Sequence, residues 1–157
     1  MGNQQIRTLA RAAIIAAIYA SLTLLLAPIS YGPVQFRLSE GLTILPVLMP
    51  EAIPGLFVGC LLANILGGST ILDIVFGSLA TLVASLLTRK LRARPVLAAL
   101  PPVLVNALVI GLVLSLTLEN MPFGYTALTV GAGQVVSCYG LGLPLWWSLR
   151  NVKFVNS

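Results

Sequence analysis

Long apolar stretches separated by short clusters of basic residues constrain this chain more than any other feature. The long stretches are residues 6–29, 52–66, 71–87, 96–118 and 125–149. A further stretch, 41–49, is shorter and has prolines in and around it. A helix that crosses a bilayer needs about 20 mostly apolar residues, and only 8% of this chain is charged, against about 25% in soluble domains. The pattern predicts an all-α integral membrane protein with a single membrane domain over residues 1–157.

The basic residues indicate how the helices are oriented. Eight of the nine Lys and Arg residues lie near the N-terminus (Arg7, Arg11), in segment 89–94, or near the C-terminus (Arg150, Lys153). Lys and Arg beside membrane helices mark the cytoplasmic side, so we expect both termini and segment 89–94 to be cytoplasmic. The net charge of +5 then suits anionic lipid headgroups rather than nucleic acid.

The same clusters limit the number of crossings. An even number must separate Arg11 from Arg89, so segment 40–66 crosses twice as two short helices or, as a re-entrant pair, not at all. We therefore expect six transmembrane helices, of which the second and third are short. Their approximate bounds are 6–29, 40–49, 52–66, 71–87, 96–118 and 125–149.

Ionisable and amide side chains lie at the predicted outer ends or inside the apolar segments. The charged ones are Arg37, Glu40, Asp73 and Glu119; the amides are Asn64, Asn106 and Gln134. Charged groups near a bilayer are costly and by default mark a ligand pathway, and buried amides need hydrogen-bond partners. Alternatives remain at three positions: an ion pair between Arg37 and Glu40, a helix-capping role for Asp73, and an interhelical bond for Asn106.

A stripe of small residues runs along the first helix. Residues four apart share a helix face, which places Ala12, Ala16 and Ala20 on one row and Ala13 and Ala17 on the next. Small residues let another helix approach closely in lipid. The stripe therefore either packs within this chain or docks a partner protein.

The residues that several kinds of catalytic and cofactor chemistry require are missing from this chain. The chain has no His, so no Ser-His-Asp or Cys-His nucleophile can form. Cys60 and Cys138 sit in apolar runs outside any CxxC pair, which disfavours a metal or haem site. A phosphate-binding GxxxxGK[ST] loop is also missing. We expect no enzyme activity, no metal and no cofactor.

Four stretches carry a family resemblance: VQFRLSE at 34–40, NILGG at 64–68, DIVFGSLATL at 73–82 and GQVVSCY at 133–139. The chain resembles the queuosine-precursor transporter family, whose members are substrate-capture (S) components of energy-coupling factor (ECF) importers. The resemblance implies a multi-pass protein of the prokaryotic plasma membrane with an outward pocket under the loop between helices 1 and 2. It also implies a transmembrane coupling (T) protein, docked on Ala12, Ala13, Ala16, Ala17 and Ala20, and two cytoplasmic ATPases.

The implied ligand is a 7-deazaguanine, such as the 7-cyano or 7-aminomethyl form. Glu40 or Asp73 can accept hydrogen bonds from its N–H groups, and Gln134 or Asn64 can satisfy its carbonyl or pyrrole N–H. Arg37 beside Glu40 would oppose an aminomethyl cation unless neutralised. Among the aromatic residues, Phe36, Tyr31 or Tyr125 can stack on the ring. Another vitamin or heterocycle, or a transporter that needs no ATPase, is the alternative.

Overall fold

The computed structural model describes residues 2–31, 36–118 and 120–152, and these residues are helical apart from short connections. Eight α-helices are interrupted by one 3-10 helix (Leu38–Val47) and by two π-helical turns, the first at Asp73–Gly77 and the second at Val136–Gly142. The α-helices are α1 (Asn3–Leu25), α2 (Ala27–Ser30), α3 (Ala52–Leu66), α4 (Ser78–Lys90), α5 (Pro95–Ala98), α6 (Leu100–Thr117), α7 (Phe123–Val135) and α8 (Leu143–Leu149).

Among the described residues, three helical stretches have the length and apolarity to cross a bilayer: Asn3–Leu25, Pro95–Thr117 and Phe123–Leu149. The apolar helices Leu38–Val47 and Ala52–Leu66 are shorter. A row of leucines on α6, each at least 50% exposed, gives that helix an apolar outer face suited to lipid. Its members are Leu104, Leu108, Leu112 and Leu116. The count of six crossings and the placement of the termini remain predictions.

The short helix expected at 40–49 is the 3-10 helix Leu38–Val47, with Pro46 inside it. Proline has no N–H to donate and crowds the preceding turn, which disfavours a regular α-helix. A 3-10 helix rises about 2.0 Å per residue against 1.5 Å in an α-helix. Ten residues therefore extend over about 20 Å instead of about 15 Å.

One of the two rows of the alanine stripe packs inside the chain, against α3. A Cβ built on Gly55 would lie 2.7 Å from the carbonyl oxygen of Ala12, and one on Gly59 would lie 2.9 Å from that of Ala16. Ala16 and Ala20 are buried. This row therefore has the packing role that the sequence left open, because glycines on α3 let the two backbones approach closely, and the docking role of the stripe stays a prediction.

The 3-10 helix also packs closely against the second π turn. A Cβ on Gly142 would lie 3.1 Å from the carbonyl oxygen of Gly41, and one on Gly41 would lie 3.0 Å from Leu141 Cβ. The 3-10 helix thus lies between this turn and α1, and it also contacts α3 and α4. Its N-terminal residues are held in the interior, where the polar side chains gather.

Candidate functional site

Buried polar side chains gather around the start of the 3-10 helix. Five of the residues predicted from the sequence are no more than 7% exposed: Arg37, Glu40, Asn64, Asp73 and Gln134. Ionisable groups this deeply buried need bonding partners, since removing them from water is costly. The partners divide these five residues into three connected groups.

Glu40 is held by two neighbouring helices. Tyr19 of α1 donates its hydroxyl to Oε1 (2.5 Å), and Asn106 of α6 donates its amide to Oε2 (3.2 Å). Of the ion pairs in the described residues, none joins Glu40 to Arg37. Both carboxylate oxygens are therefore engaged by the protein itself, and the ion pair with Arg37, one of the alternatives that the sequence left open, is not formed.

Arg37 lies between the end of α2 and the side of α3. Its Nε donates to the carbonyl oxygen of Ser30 (3.3 Å), and its Nη1 lies 4.0 Å from Cys60 Sγ. The guanidinium also sits over the ring of Tyr31, 5.2 Å from the centroid, a favourable cation–π arrangement. These contacts fix the orientation of the guanidinium.

Asn64 contacts both Cys60 and Asp73. Asn64 Nδ2 donates to the backbone carbonyl of Asp73 (3.0 Å) and lies 3.6 Å from Cys60 Sγ. Thr70 donates its hydroxyl to Asp73 Oδ2 (2.8 Å) and accepts from the Asp73 N–H (3.2 Å). This reciprocal pair resembles a capping box, so Asp73 does contribute to the helix start. Arg37 and Asn64 thus both contact Cys60, and Asp73 is bonded to Asn64; we call Arg37, Asn64 and Asp73 the Arg37 cluster.

Each member of the Arg37 cluster keeps one buried polar atom without a partner among the described residues. These atoms are Arg37 Nη2, Asn64 Oδ1 and Asp73 Oδ1. The nearby Ser30 Oγ is a fourth, and a hydroxyl can donate or accept. Buried polar atoms are nearly always satisfied, so this concentration beside a fixed cation indicates a ligand-binding site.

Gln134 belongs to a separate group on α7. Its Oε1 lies 3.5 Å from Cys138 Sγ, and that sulfur lies 3.7 Å from both the Thr43 hydroxyl and the Glu40 carbonyl oxygen. Gln134 is therefore linked to the 3-10 helix, on its Glu40 side, through Cys138.

The aromatic residues predicted to stack on a ligand ring are less well placed for that role than the polar residues are for binding. Tyr125 is 52% exposed on α7, which weakens its stacking role. Phe36 is partly buried directly before Arg37, and Tyr31 turns its ring to Arg37 and donates its hydroxyl to the carbonyl oxygen of Ala63 (2.6 Å). Glu119 lies outside the described residues.

Sequence reasoning missed Tyr19 and assigned Asn106 only an interhelical role. Tyr19 is fully buried in a helix that the sequence analysis interpreted only through its alanine stripe. A buried tyrosine hydroxyl usually has a hydrogen-bond partner, so a tyrosine inside an apolar helix was the signal that could have predicted this bond. Asn106 does bond across helices, as expected, but its partner is the Glu40 carboxylate.

The far end of the 3-10 helix is tied to basic residues. Arg89 Nη1 donates to the carbonyl oxygens of Pro46 (2.9 Å) and Val47 (3.1 Å). Arg11 forms an ion pair with Glu51 (3.0 Å) just beyond that end. Within the described residues, no group of three His, Cys, Asp or Glu side chains converges as metal ligands.

Comparison with known proteins shows which family the chain resembles. A family model described as QueT transporter matches residues 9–151. The queuosine precursor transporter QueT of Lactococcus lactis subsp. cremoris (strain MG1363) is 42% identical over 73 residues. This match covers 45% of the present chain and 43% of the relative, so less than half of each protein. No solved structure matches the chain. Since the family model covers most of its length, the chain belongs to the QueT transporter family.

Proposed function

We propose that this protein is the substrate-binding membrane subunit of an ECF-type ABC importer. It captures a queuosine precursor, a 7-deazaguanine such as the 7-cyano or 7-aminomethyl form, from outside the cell. It delivers this ligand inward together with a transmembrane coupling protein and two cytoplasmic ATPases. The observation that carries the proposal is the Arg37 cluster, a group of buried polar atoms without partners inside a chain of this family.

The cluster suits capture of a small polar heterocycle. Ligand sites are mostly apolar with a few well-placed polar groups, and here apolar helices enclose one cation, one carboxylate and one amide. Burial strengthens each hydrogen bond to a ligand, because no water competes with it. Glu40, with Tyr19 and Asn106, supports the start of the 3-10 helix next to the site.

The proposed topology has six crossings with both termini in the cytoplasm. It places the basic residues 89–94 inside and the Arg37 cluster toward the outer face, as the positive-inside rule favours. The 3-10 helix then provides the second crossing and α3 the third. The extended rise of the 3-10 helix supports this assignment, because it lets ten residues cover about 20 Å.

The proposed docking surface for the coupling protein is the exposed row of α1. Ala13 and Ala17 remain exposed there, next to the row of Ile14 and Ile18, which are 54% and 45% exposed. Small residues flanked by apolar ones suit close helix contact in lipid. An Ala17→Trp variant should fold and bind ligand normally but fail to co-purify with the coupling protein and the ATPases. Co-purification at the wild-type level would remove this surface from the proposal.

The test of the whole proposal is a titration of the detergent-purified protein with 7-cyano-7-deazaguanine and 7-aminomethyl-7-deazaguanine. Riboflavin, thiamine and biotin serve as comparison ligands. Saturable binding of a deazaguanine and no binding of the vitamins is the expected result. Tight binding of a vitamin without deazaguanine binding would instead assign the chain to a different substrate. Ligand uptake by the subunit reconstituted alone would contradict the requirement for ATPases.

A further inference from the structure

The unpartnered atoms of the Arg37 cluster are of two opposite kinds. Arg37 Nη2 can only donate, because a guanidinium has no acceptor. Asp73 Oδ1 can only accept when the carboxylate is ionised. Together with Asn64 Oδ1, the cluster presents one donor and two acceptors without partners among the described residues.

The orientation of the Asn64 amide is fixed by its neighbour. Its nitrogen faces the backbone carbonyl of Asp73 at 3.0 Å, and a carbonyl can only accept, so the NH₂ group must be on that side. The oxygen of Asn64 is therefore the free atom. The second contact of the nitrogen, with Cys60 Sγ at 3.6 Å, agrees with this assignment.

The remaining contacts hold the donor and the other acceptor in place. Arg37 uses Nε on Ser30 and directs Nη1 to Cys60, which leaves Nη2. Asp73 uses Oδ2 on Thr70, which leaves Oδ1. Because these side chains are already bonded at their other atoms, each free atom has a restricted position.

We infer that this pattern recognises a lactam edge with one carbonyl oxygen and two N–H donors, as in the 2-amino-4-oxopyrimidine ring of guanine-type bases. The carbonyl oxygen accepts from Arg37, while the ring N–H and the amino group donate to Asn64 and Asp73. This assignment rests on the proposed function and deepens it, since it names the ligand edge and the atoms that bind it. Glu40 is not assigned this role, because both of its oxygens already accept a hydrogen bond from the protein, whereas Asp73 Oδ1 has no partner among the described residues.

The pattern predicts which ligands are rejected. An adenine-type edge carries an amino group where the carbonyl would be, and it would direct a donor at the Arg37 guanidinium. A hypoxanthine-type edge keeps the carbonyl and the ring N–H but lacks the amino group, so one buried acceptor stays unsatisfied. Leaving a buried hydrogen-bonding group without its partner lowers affinity by about 10- to 100-fold.

The experiment compares 7-deazaguanine with 7-deazahypoxanthine, which differ only in the amino group, by calorimetric titration of the purified full chain. Wild-type protein should bind 7-deazaguanine about 10- to 100-fold more tightly. Asp73→Ala and Asn64→Ala each remove one acceptor, and the preference should fall to near unity in the variant whose acceptor binds the amino group. Glu51→Ala, the same kind of change at a buried carboxylate beyond the far end of the 3-10 helix, should keep the wild-type preference.

The outcomes separate this inference from the proposed function. If wild-type protein binds 7-deazaguanine and 7-deazahypoxanthine equally, the edge assignment is wrong while deazaguanine binding stands. The assignment is also wrong if Asp73→Ala and Asn64→Ala both keep the full preference. If wild-type protein binds neither compound, the assignment falls, and the proposed substrate falls with it when 7-cyano- and 7-aminomethyl-7-deazaguanine also fail to bind. The ratio of affinities within one variant is unaffected by a general loss of folded protein, so a merely structural role of Asp73 or Asn64 would not abolish it.

Discussion

Glu40 shows how one ionisable residue is accommodated among apolar helices. Its two oxygens bond to Tyr19 on α1 and Asn106 on α6, so the carboxylate joins three elements that are far apart in sequence. A buried carboxylate is tolerated only where such partners replace water. The group therefore fixes the position of the 3-10 helix, and with it the neighbouring Arg37.

The Tyr19 hydroxyl should contribute measurably to stability. Tyr19→Phe leaves Glu40 Oε1 without this donor, and we expect a loss of about 1–3 kcal/mol in the free energy of unfolding. A lower melting temperature of the purified protein in detergent would report it. Tyr125→Phe, at an exposed position of α7, is the matched control and should change little; equal effects of the two substitutions would contradict the role of Tyr19.

Arg37 should not be replaceable by lysine. Its guanidinium bonds to Ser30, approaches Cys60 and still keeps one N–H group. A lysine ammonium keeps the charge but lacks this planar fork. Arg37→Lys should weaken deazaguanine binding about 10-fold or more, whereas Arg92→Lys, at an exposed position, should bind as wild type does. Unchanged affinity in Arg37→Lys would show that the charge alone suffices.

At this scale the sequence predicted most of the site residues but not their pairing. Arg37, Asn64, Asp73 and Gln134 stand out because polar side chains are rare in apolar segments, and all four are buried. Which of them meet depends on how the helices pack, and that information is spread along the whole chain. The Arg37–Glu40 spacing suggested an ion pair only because a local pattern cannot reveal Tyr19 and Asn106 as competing partners.

At the scale of elements, the close contact between α1 and α3 depends on glycine. The Cβ of an alanine at position 55 would lie 2.7 Å from a backbone oxygen of α1, which a backbone cannot easily avoid. We expect Gly55→Ala to destabilise the protein by about 1–3 kcal/mol, seen as a lower melting temperature in detergent. Gly124→Ala, where nothing lies within 4 Å, should be neutral or slightly stabilising. If Gly55→Ala has no effect, the two helices are farther apart than described.

Regular elements were predictable, and irregular ones were not. The apolar run at 52–66 coincides with α3, because clear breakers bound it on both sides. The 3-10 helix and the two π turns have no comparable signature, since apolar periodicity does not distinguish an α-helix from its tighter or wider relatives over a few residues. These three irregular elements supply or adjoin Glu40, Asp73 and Cys138, which agrees with the frequent occurrence of π turns at functional sites.

At the scale of the whole molecule, the protein is a multi-pass protein of the prokaryotic plasma membrane, and two of its basic residues contact the region where the 3-10 helix ends. Arg89 and Arg11 hold the region at the far end of the 3-10 helix, through Val47 and Glu51. The same helix carries Glu40 near its other end. It therefore connects the region around Arg89 and Arg11 with the region around Glu40, which adjoins the Arg37 cluster.

The predicted orientation of the protein in the membrane can be tested by labelling single introduced cysteines. Cys60 and Cys138 are at most 2% exposed, so they should stay unlabelled and need not be removed. Gly124→Cys reports the predicted outer face, and Ala93→Cys reports the predicted cytoplasmic segment. A membrane-impermeant maleimide added to intact cells should label position 124 only, and permeabilised cells should be labelled at both positions. Labelling of position 93 alone in intact cells would mean that the orientation is the reverse, with the Arg37 cluster on the cytoplasmic side, where it could not capture a ligand from outside. Labelling of both positions in intact cells would instead require an even number of crossings between them and would exclude the six-helix arrangement.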